Sequence, residues 1–523
     1  MKSKVLSLVV LAFSFSVCAG WTGAESVAAP YVAMWGGREL ELNPARISSV
    51  PFCRVWPGHQ RELSQTEMSY FVRFDALRDG KLVLRGHEVG KRFRRMLPLG
   101  TKDRLAVEGV DAVILDVTAT GAFVFAFDGL PTLHVFADPP LQPVPTPGPG
   151  GELIRFGRGE HFPGVVAPKS GDVVVLDEGA VVYGSLFVLN ATNVTVTGRG
   201  IFDGSRLARA DETMRKFRRE RGLPEIDTES ACFAYSVYGS ENVTISGVTF
   251  RDPPFWTLVV RNQCRHTLID NIHIVGNWRY NSDGVDVCAS EDTVIRNSFF
   301  RTFDDCVIAR GPYMKGEFAP VSGMVVTNCS LYCDWGVPFK AQVQDFHGST
   351  IEDVTMRDCK ILAMRENALF LAVRYGCDLD ILRNLTFEDL EFSFFPQPRS
   401  LLQSHDGESF TALPLTSNCL ALAFSYTLGK NLDNQINAPM EKPEYYRFLF
   451  ENFAFRRFKV LGESRKFSVR LESLVPRHEI RNVDIVDLPE YELVMKGDVR
   501  LAPEGFPRKT VHDAGALAAG FCQ

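Results

Sequence analysis

Residues 242–296 read NVTISGVTFRDPPFWTLVVRNQCRHTLIDNIHIVGNWRYNSDGVDVCASEDTVIR. Three short strand-like cores recur in it: Val243-Thr244-Ile245, Thr267-Leu268-Ile269 and Thr293-Val294-Ile295. Ile245 to Ile269 is 24 residues, and Ile269 to Ile295 is 26. The same kind of core stands upstream at Val194-Thr195-Val196. Downstream it returns at Met324-Val325-Val326, Val354-Thr355-Met356 and Leu385-Thr386-Phe387, with steps of 31 to Val326 and 30 to Met356. A loose period of this size, built on β-branched strands and lacking an amphipathic helical pattern, indicates a solenoid. One repeat cannot bury its inward face alone, so stacked coils must supply the core. The 39 phenylalanines suit stacked interior positions. The expected fold is all-β, a parallel β-helix.

Outward from this stretch the period breaks twice. Ala208 to Gly222 is charged and predicts a surface helix, and residues 397–443 predict a long excursion. Coils resume at Leu449-Phe450-Glu451-Asn452-Phe453 and Ile480-Arg481-Asn482-Val483, and residues 502–523 read as a capping tail. Asn193 and Asn242 fall in glycosylation-type triplets, but their shared repeat position reads more simply as turn asparagines before strands. The helix domain is expected over 151–501. Before it, the proline-rich stretch 139–150 admits neither helix nor inner strand and marks a boundary between two independent domains. Residues 25–138 carry short alternating runs such as Tyr70-Phe71-Val72-Arg73-Phe74 between turn residues, which predicts a small antiparallel β-sandwich. Residues 1–24 read as a secretory signal peptide: Lys2 and Lys4, an apolar run from Val5 to Val17, then small residues. Cys18 as a lipid-attachment site is the alternative. The expected location is therefore secreted or periplasmic.

The chain has 523 residues and a formal charge of −6, with no dense basic face, which argues against a nucleic-acid partner. No later segment reaches membrane-spanning length. A monomer is expected. Cys264, Cys288, Cys306, Cys329 and Cys359 lie in or beside apolar runs and read as small buried core residues. Cys329 and Cys333 have no matching Cys or His pair nearby, so a zinc site is not expected.

The chemistry lies in Trp278 to Arg310. Asp283 sits in Asn281-Ser282-Asp283-Gly284, and Asp304-Asp305 follow 21 and 22 residues later. On neighbouring coils ~4.8 Å apart, the three carboxylates would converge. Such clustering costs free energy unless a proton, a metal or a substrate resolves it. Glycosidic hydrolysis has a use for it, needing one protonated carboxyl for the leaving oxygen and one ionised carboxyl for water. Solvated turn aspartates or a calcium site are the plain alternatives.

Here the sequence resembles glycoside hydrolase family 28, the polygalacturonases and their relatives. The resemblance rests on Asn193 to Gly204 (NVTVTGRGIFDG), Pro254-Phe255-Trp256-Thr257, Asn281-Ser282-Asp283-Gly284 and Asp304-Asp305-Cys306, in that order, and covers about 151–393. It implies a right-handed parallel β-helix, hydrolysis of a polysaccharide or oligosaccharide with inversion, and no cofactor or metal. By matching motifs Asp304 would be the general acid, with Asp283 and Asp305 activating water.

The family's Gly-His-Gly motif is replaced by Cys333-Asp334-Trp335-Gly336, and its Arg-Ile-Lys motif by Ala368 to Val373. The usual cationic grip on a uronate carboxylate is thus absent. A plant or algal glycan other than plain polygalacturonate is expected, with Lys340, Arg310 or Arg374 as substitute cations. Asn281, Trp278, Tyr280 and Trp335 complete the candidate substrate-binding set, with Trp278 and Tyr280 expected at a cleft rim. A β-helix polysaccharide lyase and a non-catalytic adhesive β-helix remain rival readings.

Overall fold

The computed structural model describes residues 29–49, 63, 66–209, 212–223, 233–311, 319–343, 349–364, 369–373, 380–395, 401–403, 410–412, 422–426, 448–462, 467–472 and 478–503. The expected leader and the tail from 504 lie outside them, as does most of the 397–443 excursion. From Leu153 onward the chain winds into a right-handed parallel β-helix whose strands stack in three ladders. One ladder runs through Thr192–Gly198, Glu241–Ser246, Arg265–Asp270 and Glu291–Arg296. It contains the repeated cores of the sequence, in register: Val243 pairs Thr267, which pairs Thr293. A second runs through Thr249–Arg251, His273–Val275, Phe299–Thr302 and Ser330–Cys333. The third runs through Leu258–Arg261, Val285–Cys288, Val307–Arg310 and Phe339–Val343.

Alternation within each strand sends every second side chain inward. Val285 and Val287 enter the apolar core with Val307, Ala309 and Phe339, while Asp286 between the valines points outward. Phe202 and Phe250 stack inside at 5.5 Å and 11°. The turn asparagines have a stereochemical task. Asn193, Asn242, His266 and Asp292 hold φ of 56, 55, 52 and 50° on successive coils, a left-handed conformation that asparagine and aspartate tolerate best. Five of the buried cysteines anticipated from sequence are buried free thiols, and so is Cys333. The charged stretch contributes the helix Glu212–Glu220, which turns Met214 and Phe217 onto Phe187 and Tyr238.

Residues before the proline-rich stretch form two five-stranded sheets around their own core. Pairing is antiparallel except between Thr132–Asp138 and Thr66–Asp75, which run parallel. This small domain lies flat against the second ladder. Phe71, Leu97, Val124 and Phe136 pack on Val275, Phe299 and Leu362 of the helix. The Phe136 ring stacks on His273 at 3.8 Å. Beside it, buried Asp138 meets Arg73 at 2.8 Å, Arg199 at 3.3 Å and His273 Nε2 at 3.1 Å. Burial alone would raise Asp138, but Arg73, His273 and Arg199 overcome it and hold the carboxyl well below its usual range.

Burial pushes His273 down to about 4, outweighing the pull of Asp138, and pushes His134 in the same interface down to about 3. Both rings stay neutral in the fold but charge in the unfolded chain near pH 6.5. Between about pH 6.5 and 4 these two rings bind more protons in the unfolded state, so their own contribution lowers stability as pH falls through that window. Comparing thermal unfolding of the wild type and His273→Gln across it isolates the ring: the melting temperature of the variant should fall less, or rise more, as pH falls. An identical pH dependence in the two proteins would contradict the assignment.

Candidate active site

The turns that join the second ladder to the third stack on one another, and the acids stand on them. Asp283 precedes the strand Val285–Cys288, and Asp304-Asp305 precede Val307–Arg310 on the next coil. Backbone bonds tie the turns together: Gly284 N–H donates to Asp305 O at 2.8 Å, and Cys306 N–H to Val337 O at 2.9 Å. Such close approach excludes side chains. A Cβ at Gly284 would stand 2.2 Å from Cys306 O, and one at Gly336 would stand 2.6 Å from both Asp305 N and Asp305 Oδ1.

Asp283, Asp286 and Asp305 are buried, whereas Asp304 is partly exposed. Two cations enter from later residues. Lys340 Nζ donates to Asp305 Oδ2 at 2.8 Å, and Val337 N–H to Asp305 Oδ1 at 2.8 Å. Arg310 lies 3.3 Å from Asp286 and 3.7 Å from Asp283, and its guanidinium covers the Trp256 ring at 4.4 Å. Two cations cannot neutralise four carboxylates, so protons make up the difference. Burial, then Asp304, Asp286 and Asp305, push Asp283 well above the ordinary carboxyl range, against a smaller pull from Arg310. Burial raises Asp286 to about 7 despite Arg310. Asp283 Oδ1 and Asp286 Oδ2 have no hydrogen-bond partner among the described residues. These are the positions where a proton, water or sugar hydroxyl would bind.

Asp304 Oδ2 accepts from Asn281 Nδ2 at 3.2 Å, and Asn281 Oδ1 accepts from Arg209 at 2.8 Å. Asn281, with φ of 54°, is thereby a spacer between a buried arginine and the partly exposed acid. Trp335 is half-buried in the turn that overlies Phe303. Four expected substrate contacts are placed differently. Trp278 and Tyr280 are 4 % and 7 % exposed, packed beneath Arg279 and Arg209 instead of forming a rim. Arg310 is committed to Asp283 and Asp286, so it counters acid charge beneath the surface. Lys340 is likewise engaged by Asp305. Arg374 and His347 lie outside the described residues. Sequence reasoning missed Asp286 and Arg209. Asp286 had a signal: an acid between two valines of a period-2 strand must face outward, on the side of the other acids. Arg209 had none, because its role depends on a loop crossing several coils.

The arrangement defines a class, a parallel β-helix carrying an aspartate cluster at stacked turns. Residues 180–393 match the family model for Glycosyl hydrolases family 28. An exopolygalacturonase of Cochliobolus carbonum is 29% identical over 128 residues, covering 24% of this chain and 26% of that protein. An Aspergillus niger protein named for galacturan 1,4-alpha-galacturonidase A is 24% identical over 161 residues, covering 27% and 34%. The chain thus spans about a third or less of the length of these curated relatives. Among solved structures, Dex49A from Penicillium minioluteum superposes with a TM-score of 0.51 over 88% of this chain and 93% of its own. At 11% identity that is a likeness of fold.

The glycine contact makes a direct test. Gly336→Ala should displace Asp305 by a fraction of an ångström and reduce turnover by about a hundredfold, with the circular dichroism spectrum unchanged. Near-normal turnover in this variant would show that the Asp305 position is not critical.

Proposed function

We propose that this protein hydrolyses glycosidic bonds in a pectin-like polysaccharide by inverting acid–base catalysis. The observation that carries the reading is the set of Asp283, Asp304 and Asp305 on adjacent stacked turns, with the Asp283 carboxyl raised by its neighbours. Asp304, the most accessible of the three, gives its proton to the glycosidic oxygen as the bond from that oxygen to the anomeric carbon breaks. Water attacks the anomeric carbon from the opposite face and yields its proton to a carboxylate. Asp305, whose oxygens accept from Lys340 and the Val337 N–H, is oriented for that role, and Asp283 completes the water site. Every step moves protons among groups of this chain, so the mechanism calls for no cofactor.

The substrate is a pectic or related plant or algal glycan other than unmodified polygalacturonate. Lys340, Arg310, Arg209 and Arg279 are each engaged by a carboxylate or by backbone and amide oxygens, which leaves none of the four dedicated to a uronate. The leader-like residues 1–24 support action outside the cytoplasm. Among the described residues no helix is long and apolar enough to cross a membrane.

Asp304→Asn keeps the shape but cannot deliver a proton. It should lower kcat by about 10²–10⁴-fold on the natural glycan and far less on an activated aryl glycoside. Equal loss on both would remove Asp304 from the acid role. A second test uses pH. Asp283 must ionise to accept a proton, and it is held above the ordinary range, so kcat/KM should rise with pH on the acid side well above pH 4. The charge of Asp286 is among the causes that raise Asp283. Asp286→Asn should move that acid limb to lower pH, because it removes one like charge beside Asp283. An unmoved limb would show that the cluster does not set it.

A further inference from the structure

We propose that Asp334 is a positioning residue for hydrolysis, and that the N-terminal domain sets its place through His134 and Arg301. The inference rests on the reading above that Asp305 acts on water. Four consecutive contacts carry it. His134 lies on the strand Thr132–Asp138 and is fully buried, with Nδ1 3.1 Å from Tyr70 O and Nε2 3.0 Å from Arg301 Nη1. A carbonyl only accepts and a guanidinium only donates. One neutral tautomer satisfies both, with the proton on Nδ1. Burial and the Arg301 charge keep His134 neutral by pushing it down to about 3.

Arg301, on the coil strand that leads into Asp304-Asp305, lies over the Tyr332 ring at 4.2 Å. Its other nitrogens fork onto Asp334, Nε to Oδ2 at 3.4 Å and Nη2 to Oδ1 at 3.2 Å. Glu67 of the small domain also faces Arg301, and Arg95 faces Tyr332. Asp334 opens the turn that holds the acid. Its own N–H donates to Thr302 O at 2.9 Å, and those of Trp335 and Gly336 to Phe303 O at 2.8 and 3.1 Å. Three residues on from Asp334, Val337 N–H reaches Asp305 Oδ1 at 2.8 Å. The small domain is thus connected to Asp334 through side chains, and from Asp334 to the Asp305 carboxylate through the backbone of the turn that ends in the Val337 N–H.

The energetics favour a positioning role over a stabilising one. A buried ion pair contributes little net stability compared with apolar residues of similar volume, because both charges lose their hydration. What a bidentate arginine–carboxylate fork does supply is geometry. Here it acts on the turn that carries Val337, whose N–H reaches Asp305 Oδ1 at 2.8 Å, and Gly336, where a Cβ would stand 2.6 Å from the same oxygen.

The test compares Asp334→Ala, Asp334→Asn, His134→Ala and Asp305→Asn with the wild type, using release of reducing ends from a soluble pectic polysaccharide and thermal unfolding. Asp334→Ala should lower kcat by about ten- to a hundredfold with KM within about twofold. Asp334→Asn retains an oxygen for the guanidinium and should recover most of the loss, and His134→Ala should lower kcat in the same sense. A lower melting temperature with kcat unchanged, or a raised KM with kcat unchanged, overturns the proposal. If Asp305→Asn turns over normally, the reading of the site falls and this inference with it. If Asp305→Asn is inactive while Asp334→Ala is normal, the inference alone falls.

Discussion

Parallel strands stack about 4.8 Å apart, and in this chain that spacing presses carboxylates together. The stacked turns place Asp283 and Asp286 against Asp304 and Asp305, close enough that each neighbour raises Asp283. The coils could not hold such a cluster without the apolar interior below it, where Val285, Val307 and Phe339 follow one another in register. Repulsion at the turns is therefore stored by burial in the core. Lys340 and Arg310 relieve part of it, and bound protons the rest. A group of acids that is unfavourable at rest is poised to exchange protons with a substrate, as hydrolysis of an unactivated ether-type bond requires.

The second determinant is the docked N-terminal domain. Its sheet covers the outward face of the ladder next to the acids and buries Phe136 and His134 against it. The interface is polar at its centre, where Asp138 is shared by two arginines and a histidine. Truncating Asp138 would leave buried Arg73 without its counterpart charge, which is far costlier than the pair is stabilising. The two units have separate cores but a shared, highly specified contact, and the Arg301 fork extends that contact to the site.

Much of this was legible in the sequence, for identifiable reasons. Solenoid coils write their period directly, because each repeat must present the same inward β-branched pattern; Val243, Thr267 and Thr293 each open a repeated core in the sequence and pair in the structure. Asp283, Asp304 and Asp305 were legible because strand spacing converts a separation of one coil into contact. What escaped was whatever depends on the side walls of the groove. Trp278 and Tyr280, flanked by polar residues, read as a rim, yet neighbouring arginines fold over them. Arg310 and Lys340 read as substrate cations, yet the acids claim them first, since buried carboxylates gain more from a cation than a solvated uronate would. The docking of the small domain left no pattern at all, as interfaces between separately patterned units rarely do.

The configuration of the first sugar released tests the central claim most directly. Proton NMR of the anomeric signal during the first minutes of digestion, before mutarotation, distinguishes the outcomes. The account predicts a product of inverted configuration from water attack opposite the leaving oxygen. A product of retained configuration would require a covalent carboxylate intermediate, and an unsaturated product would require elimination; either would contradict the assignment of Asp283, Asp304 and Asp305.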